Sequence, residues 1–559
     1  LPSQPASQPR PVQQGSQIIL NGRTINSSWL QWQTPEGVRI GLSDAALMRR
    51  VGLQLLNNNA INIQPVQWFS QLPLSTRLAN TVRYLDITAI AKQFGWQMTP
   101  AGSTLQISTP AARITSIRQG KQPWGDRVVI ELDKPTPWQS DPQPKELLLT
   151  LDASIDSAIA QQFKSAPGNY LQSIKLEPGG KQTRLRLAFS STLQPRIWSI
   201  QNPNRIVIDI RPDSLANQNI LWASGLRWRQ QIIPVGNTQI PTVWLEANLR
   251  QPGLRLQPLL PNPISMTGIA PLIQTAQQSQ AWAAINGGFF NRIRQMPLGA
   301  VRQDAQWLSG PILNRGAIAW DNNGNVRFDR LTLTEAVITQ ANQRFPITHL
   351  NSGYVQAGIA RYTPTWGATY TSLSDGEIIV SVQNNQVLGQ QAIEKAGTAI
   401  TIPANGYILV LRSNRSAAPA FPTGSRLQIE SVTTPADFNR FPQIVAGGPL
   451  LIQNRRIVLD AKAESFSNAF VVEKAPRSAI AQTADGSILL VAAHTKLDGT
   501  SLSLTDMAQL LLQLGAVHAL NLDGGSSTTL YLGGQLLDRL PQTAARVHNA
   551  IGIFVPAQP

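Results

Sequence analysis

HALNLDGGSSTTL, residues 518–530, is a short apolar alternation that stops at an acid and two glycines. On an extended strand Asn521 and Asp523 share one face, while Leu520 and Leu522 take the other. Gly524 and Gly525 then let the chain turn sharply and bring backbone N–H groups close to a bound group. Just ahead, SLSLTDMAQLLLQLGA (501–516) places Met507, Leu510, Leu511 and Leu514 at i, i+3, i+4 and i+7, one face of a helix. Ser503 or Thr505 caps its start and Gly515 closes it. Helix, short strand, polar residue and glycine pair together predict a site built at the end of a rigid strand.

The same grammar occurs twice upstream. AWAAINGGFF (281–290) follows Ile269, Leu272, Ile273 and Ala276 at helical spacing, with Pro271 in the first turn. FPQIVAGGPLL (441–451) is a third apolar run ending in paired glycines. Asp485-Gly486 and Asn322-Asn323-Gly324 read as hairpin turns, and Phe289 and Phe290 as core. Residues 225–556 are expected to form a large mixed α+β domain, rich in strands and poor in helices.

Two internal duplications precede it. Leu42, Ala46, Leu47, Val51, Gly52 and Leu53 align with Leu85, Ala89, Ile90, Phe94, Gly95 and Trp96, predicting a duplicated β/α domain over 17–109. Ser116-Ile117, Arg127–Ile130 and Leu149–Asp152 align with Ser173-Ile174, Arg184–Leu187 and Ile206–Asp209 at one constant offset, predicting a duplicated β-rich domain over 112–213. The opening LPSQPASQPRPVQQGS (1–16) reads as a disordered linker left after a signal peptide, which places the protein in the periplasm or outside the cell. The fold class is therefore multidomain α+β. The first duplication resembles the stalk module of the copper amine oxidase N-terminal type. The second, through RIWSIQNPNRIVIDIRPD (196–213), resembles AMIN modules, which implies attachment to the cell wall; a plain spacer is the alternative reading.

Composition narrows the chemistry. There is no cysteine, which excludes disulfides, thiolate nucleophiles and Cys-ligated zinc. No run approaches the ~18 apolar residues of a transmembrane segment. The net charge of +16 favours polyanions, but the arginines are scattered and no nucleic-acid motif accompanies them. The 14 tryptophans suit either sugar stacking or sheet cores.

AINGGFFN (284–291), IVAGGPLLI (444–452), APRSAIAQTADGSILLVAAH (475–494), HALNLDGGSST (518–528) and RVHNAIGIF (546–554) resemble, in this order, the phosphodiester glycosidase family of the N-acetylglucosamine-1-phosphodiester α-N-acetylglucosaminidase type. The resemblance implies hydrolysis of a sugar from an anomeric phosphodiester, here on cell-envelope or exopolysaccharide glycans. It assigns a catalytic carboxylate to Asp523, since glycosidic cleavage commonly uses one or two such groups. His494 is the candidate second group, with Asp498 nearby, although two additional residues separate them relative to the family's His-Ala-Asp-Gly stretch. Arg477 is the expected phosphate partner, its guanidinium offering two parallel hydrogen bonds. Asn286 with Gly287 would hold sugar hydroxyls. Gly447, Gly448, Gly524, Gly525, Ser526 and Ser527 would donate to the anion. Asn549 and Arg546 rest on the family pattern alone. No cofactor is called for; a metal cluster of Asp523, Asp498 and His494 stays open. A non-catalytic wall- or polysaccharide-binding envelope protein is the competing reading.

Overall fold

The computed structural model describes residues 11–556. They fall into two compact units: one runs to Ile232 and takes in Gly533–Gln535, the other holds Ile233–Leu532 and Leu536–Phe554.

The first unit opens with a nine-stranded sheet drawn from residues 11–108. Leu42 and Leu85, equivalent positions of the first duplication, face each other where Gly37–Ser43 pairs antiparallel with Val82–Asp86. Each copy continues into a helical turn, Asp44–Ala46 with Leu47–Val51 and Thr88–Phe94. Gly52 and Gly95 end them at φ 86° and 72°, the left-handed conformation glycine adopts without strain. Of the linker expected over 1–16, residues 1–10 lie outside the described residues, and Pro11–Leu20 is a strand paired with Arg23–Thr34. PVQQGSQ carries no apolar alternation to announce it, but main-chain pairing needs none. Gly15 runs so close to Ser103 that an added Cβ would sit 1.9 Å from its carbonyl oxygen.

The second duplication exchanges strands between its copies. Ala112–Gln122 and Gly125–Leu132 share a sheet with Arg196–Ile200 and Asn204–Ile210, while Trp138–Gln143 and Glu146–Leu151 share another with Leu171–Gly179 and Gln182–Phe189. Each sheet thus draws strands from both repeats. Ile130 opposite Ile206 and Leu149 opposite Leu185 bury the matched apolar positions.

In the second unit, Ala516–Asn521 pairs with both Arg477–Thr483 and Leu450–Gln453. Arg477–Thr483 pairs in turn with Ile488–Ala493, and that strand with Thr238–Ala247. Helix Leu504–Gln513 covers one face of this sheet. Ser503 caps it, its hydroxyl accepting from the Asp506 N–H while the Asp506 carboxylate accepts from the Ser503 N–H. Met507, Leu510 and Leu511 are buried against Ala479, Ala481, Val491 and Ala519. A second sheet orders Arg255–Leu259, Ala550–Phe554, Ala283–Asn286 and Leu530–Leu532. A seven-stranded sheet spans residues 332–434. Trp320 and Trp366 are buried here, and Trp29, Trp68 and Trp222 in the first unit, so these tryptophans fill cores.

The first unit's core holds one charged cluster. Asp44 accepts from Arg83 Nε at 2.9 Å and from Trp222 Nε1 at 2.8 Å, with both members of the ion pair buried. Removing the acid would leave a desolvated guanidinium unpaired. Asp44→Ala is expected to destabilise this unit by about 3–5 kcal/mol in chemical denaturation.

Candidate active site

Asn286 ends the strand Ala283–Asn286 fully buried, and its side chain joins three other segments. Nδ2 donates to the Asp523 carbonyl at 2.7 Å, while Oδ1 accepts from Ser478 Oγ at 2.7 Å and from the Thr529 N–H at 3.1 Å. The Asp523 N–H donates to the Gly287 carbonyl at 3.0 Å, and the Leu522 N–H to the Ser478 carbonyl at 2.9 Å. The ends of two sheets are thereby laced together around the backbone of Asp523. Asn286 was expected to hold sugar hydroxyls. Its amide is instead engaged within the protein, where it holds the Asp523 main chain.

The glycine pairs differ in what they do. A Cβ on Gly287 would lie 2.0 Å from Asn549 Oδ1, and one on Gly288 2.1 Å from the Ala446 carbonyl oxygen. The Gly287 N–H donates to the Asn549 carbonyl and that of Gly288 to Asn549 Oδ1, both at 2.8 Å. Asn549 is thus a buried clamp on the Gly287-Gly288 turn. A Cβ on Gly447 would come within 2.4 Å of the Asn521 carbonyl oxygen, and the N–H groups of Gly447 and Gly448 are taken by the carbonyls of Gly316 and Asn521. These four glycines permit close packing, and their N–H groups are not free to receive an anion.

The third pair lies differently. Gly525 has φ 64° and donates its N–H to the Pro476 carbonyl at 2.8 Å. Gly524 presents its N–H to the Asp523 carboxylate. Arg539, which the sequence reading missed, holds this turn by donating Nη1 to the carbonyls of Gly525, Ser526 and Thr528 at 3.0–3.2 Å. The Ser527 and Thr528 hydroxyls and Asn521 Oδ1 are buried without a full hydrogen bond among the described residues.

Asp523 itself is partly exposed, yet desolvation lifts its pKa to about 6. The Ser527 hydroxyl, Arg292 and the Gly524 N–H pull the other way, and nearby Glu473 adds to the rise. Asp523 is thus held in largely desolvating surroundings while part of the residue stays accessible. Arg292, exposed, donates to Ser526 Oγ at 3.1 Å beside it.

His494 follows Ala493, which pairs with Arg477, so it stands beside Pro476 with the Gly524-Gly525 turn on the other side. Two strand spacings, about 10 Å, separate it from the Asp523 segment. Its Nε2 meets Asp538 Oδ2 at 2.7 Å. The Asp538 side chain is fully buried and its other oxygen accepts from the Leu530 N–H at 2.8 Å, while the His494 side chain is 25% exposed. A buried, anchored acid thus fixes an accessible imidazole. Asp538 lies in a loop whose sequence offered no motif.

Arg477 neighbours the site but faces inward. It is 1% exposed, donates Nε to the Leu502 carbonyl at 3.2 Å and Nη2 to that of Glu473, and burial lowers its pKa. It supports the Gly524 turn from behind, its Cδ 3.8 Å from where a Gly524 Cβ would stand. Asp498 caps the exposed turn of a hairpin, accepting from the Thr500 N–H at 2.8 Å and from its hydroxyl at 2.7 Å, which lowers its pKa. Among the described residues no three His, Asp or Glu side chains gather as a metal site, so the cluster of Asp523, Asp498 and His494 does not form. Arg546 is exposed on a two-residue strand, Arg546–Val547. Phe290 is core as expected, but Phe289 is half-buried in a group with Phe466 and Phe470, ring centroids 4.5–5.7 Å apart.

A crystal structure of a hypothetical protein from Synechocystis is similar at a TM-score of 0.90 and 44% sequence identity, over 98% of this chain and 99% of that one. The family model described as phosphodiester glycosidase matches residues 375–554, beginning later than the 225 expected from the motifs. The N-acetylglucosamine-1-phosphodiester alpha-N-acetylglucosaminidases of Mus musculus and Homo sapiens are each 33% identical, over 120 and 108 residues. Those stretches are 20% and 18% of this chain and 23% and 21% of the mouse and human proteins, so the chain spans about a fifth of the length of the curated relatives it matches. The protein therefore belongs to the same family as the Synechocystis protein, and its C-terminal part carries a phosphodiester glycosidase-like domain.

Proposed function

We propose that the second unit hydrolyses the bond between a sugar's anomeric carbon and a phosphodiester oxygen. The observation that carries this reading is Asp523: a desolvated carboxyl at an open strand end, flanked by Arg292 and by buried hydroxyls without full partners. Its raised pKa leaves it mostly ionised at pH 7, fit to meet a carbon gaining positive charge. The C1–O bond breaks with its electron pair leaving on the phosphodiester oxygen, a good leaving group that needs little protonation. Water supplies the new C1–O bond and releases a proton. His494, oriented by Asp538, is a base for that proton at the same sheet edge.

The N-terminal modules, by their resemblance to stalk and AMIN types, and the net charge of +16 support an anionic envelope or exopolysaccharide glycan as target and a periplasmic or secreted location. No helix among the described residues is long and apolar enough to cross a membrane. The competing, non-catalytic reading accounts for one set of residues as well as the catalytic one does. Asn286, Gly287, Gly288, Gly447, Gly448, Arg477 and Asn549 all serve packing, so a pure binding protein would need them equally.

Turnover of a fluorogenic sugar-1-phosphodiester decides between the two. The wild type is expected to cleave it, and Asp523→Asn to lose at least about a thousand-fold in kcat. No turnover on any anomeric phosphodiester, with retention on wall polymer intact, would leave the binding reading. For the active enzyme, kcat/KM should rise with pH through a limb near 6, and Asp538→Asn should lower kcat more than it changes KM.

Stability supplies an independent check. The folded-state pKa of Asp523 exceeds its ordinary value of 3.8, so its favourable contribution is full below pH ~4 and lost as pH rises through about 6. Asp523→Asn is therefore expected to stabilise the protein by about 1–3 kcal/mol at pH 8 and by nothing at pH 4. Thermal melts at the two pH values would show it.

A further inference from the structure

We infer that Arg315, and not Arg477, is the arginine that binds the substrate's anionic group. The assignment deepens the reading above and rests on it for the identity of the substrate; the anion site stands on its own geometry.

Arg315 precedes the strand Gly316–Trp320 and is half-buried. Its guanidinium carbon lies 4.1 Å from the Phe466 ring centroid and 5.6 Å from that of Phe289. Burial lowers its pKa, yet among the described residues its side chain has no hydrogen bond and no ion pair, and its Nε is buried without a partner. A guanidinium offers five donors, and one withdrawn from water normally finds acceptors for them. Other buried or half-buried arginines of this unit do so: Arg412 on Glu377 and two tyrosines, Arg361 on Glu335, Arg477 on two carbonyls.

The acid nearest in charge does not bond it. Glu464 attracts Arg315, but its oxygens already accept from the N–H groups of Gly316 and Leu450, both at 2.8 Å, and from Arg330 Nε at 3.1 Å. What remains is a flat, half-buried cation packed against a pair of rings, with no acceptor for its donors among the described residues. That arrangement suits a group with two coplanar anionic oxygens, a phosphate ester above all.

Its walls belong to the site. Phe289 follows the Gly287-Gly288 turn, whose carbonyl at Gly287 accepts the Asp523 N–H. Phe466 packs where a Cβ on Gly448 would be 3.1 Å away, and the Gly448 N–H binds the Asn521 carbonyl. Arg315 and Asp523 therefore border one set of turns, with Arg292 on the Asp523 side as a second cation.

Titration calorimetry of the full chain with inorganic phosphate and with dimethyl phosphate tests the site without requiring turnover. Arg315→Gln is expected to weaken both by about ten- to a hundred-fold, with Arg315→Lys restoring little because an ammonium lacks the planar fork. Since the Arg315 side chain makes no hydrogen bond among the described residues, its variants should melt close to the wild type. Phe289→Leu, which leaves every charge in place, should weaken phosphate by a smaller factor. Wild-type affinity in Arg315→Gln, or no phosphate binding by the wild type, overturns the inference. Phosphate binding that depends on Arg315 in a protein that turns over no sugar phosphodiester would sustain it while removing the proposed reaction.

Discussion

The placement of Asp523 depends on one buried amide. The Asn286 side chain donates to the Asp523 carbonyl and accepts from Ser478 Oγ and the Thr529 N–H, so one residue registers three segments, beside the backbone bond from the Asp523 N–H to the Gly287 carbonyl. A buried amide of this kind is demanding: fully bonded it rigidifies the junction, but with a partner missing it would cost the desolvation of whatever was left unpaired. Neither aspartate nor leucine fits the pattern, since one lacks the donor and the other has neither donor nor acceptor. The junction thus holds the catalytic candidate by its main chain, while, among the described residues, its carboxylate meets only the Ser527 hydroxyl and the Gly524 N–H beside it.

Hydrogen-bond economy also explains which expectations survived contact with the structure. The helix over 504–513 was legible because its apolar period and Ser503 cap are local. The strand leading to the glycine pair was legible for the same reason, although it ends at Asn521, whose buried amide bonds the Gly448 and Leu522 carbonyls, and Asp523 lies just beyond it. The roles of Asn286, Asn549 and Arg477 were not. Each has the right chemistry for a ligand, and only long-range contacts, to Asp523, Gly288 and Leu502, reveal that this chemistry is already engaged. The strand over residues 11–16 and the exchange of strands between the copies at 112–213 escaped for a related reason: pairing partners are chosen by main-chain geometry, which composition does not encode.

Asp538 and Arg539 make the same point constructively. One fixes His494 and the Leu530 N–H; the next clamps the carbonyls of the Gly525–Thr528 turn. Adjacent residues in an unremarkable loop thereby tie the imidazole to the turn that carries Asp523.

The family match over 375–554 includes Asp523, His494 and Asp538 but stops short of Asn286, Arg292 and Arg315. The matched stretch therefore supplies the carboxylate and imidazole, whereas the residues that position the carboxylate and surround it with positive charge come from the preceding hundred or so positions of the same unit. In the proposed reaction, chemistry at the anomeric carbon and grip on the anion are in this way separable along the chain. Since Phe289 leads directly out of the Asn286-Gly287-Gly288 turn, the element that registers Asp523 also builds one wall around Arg315, and a change in that turn would move the two functions together.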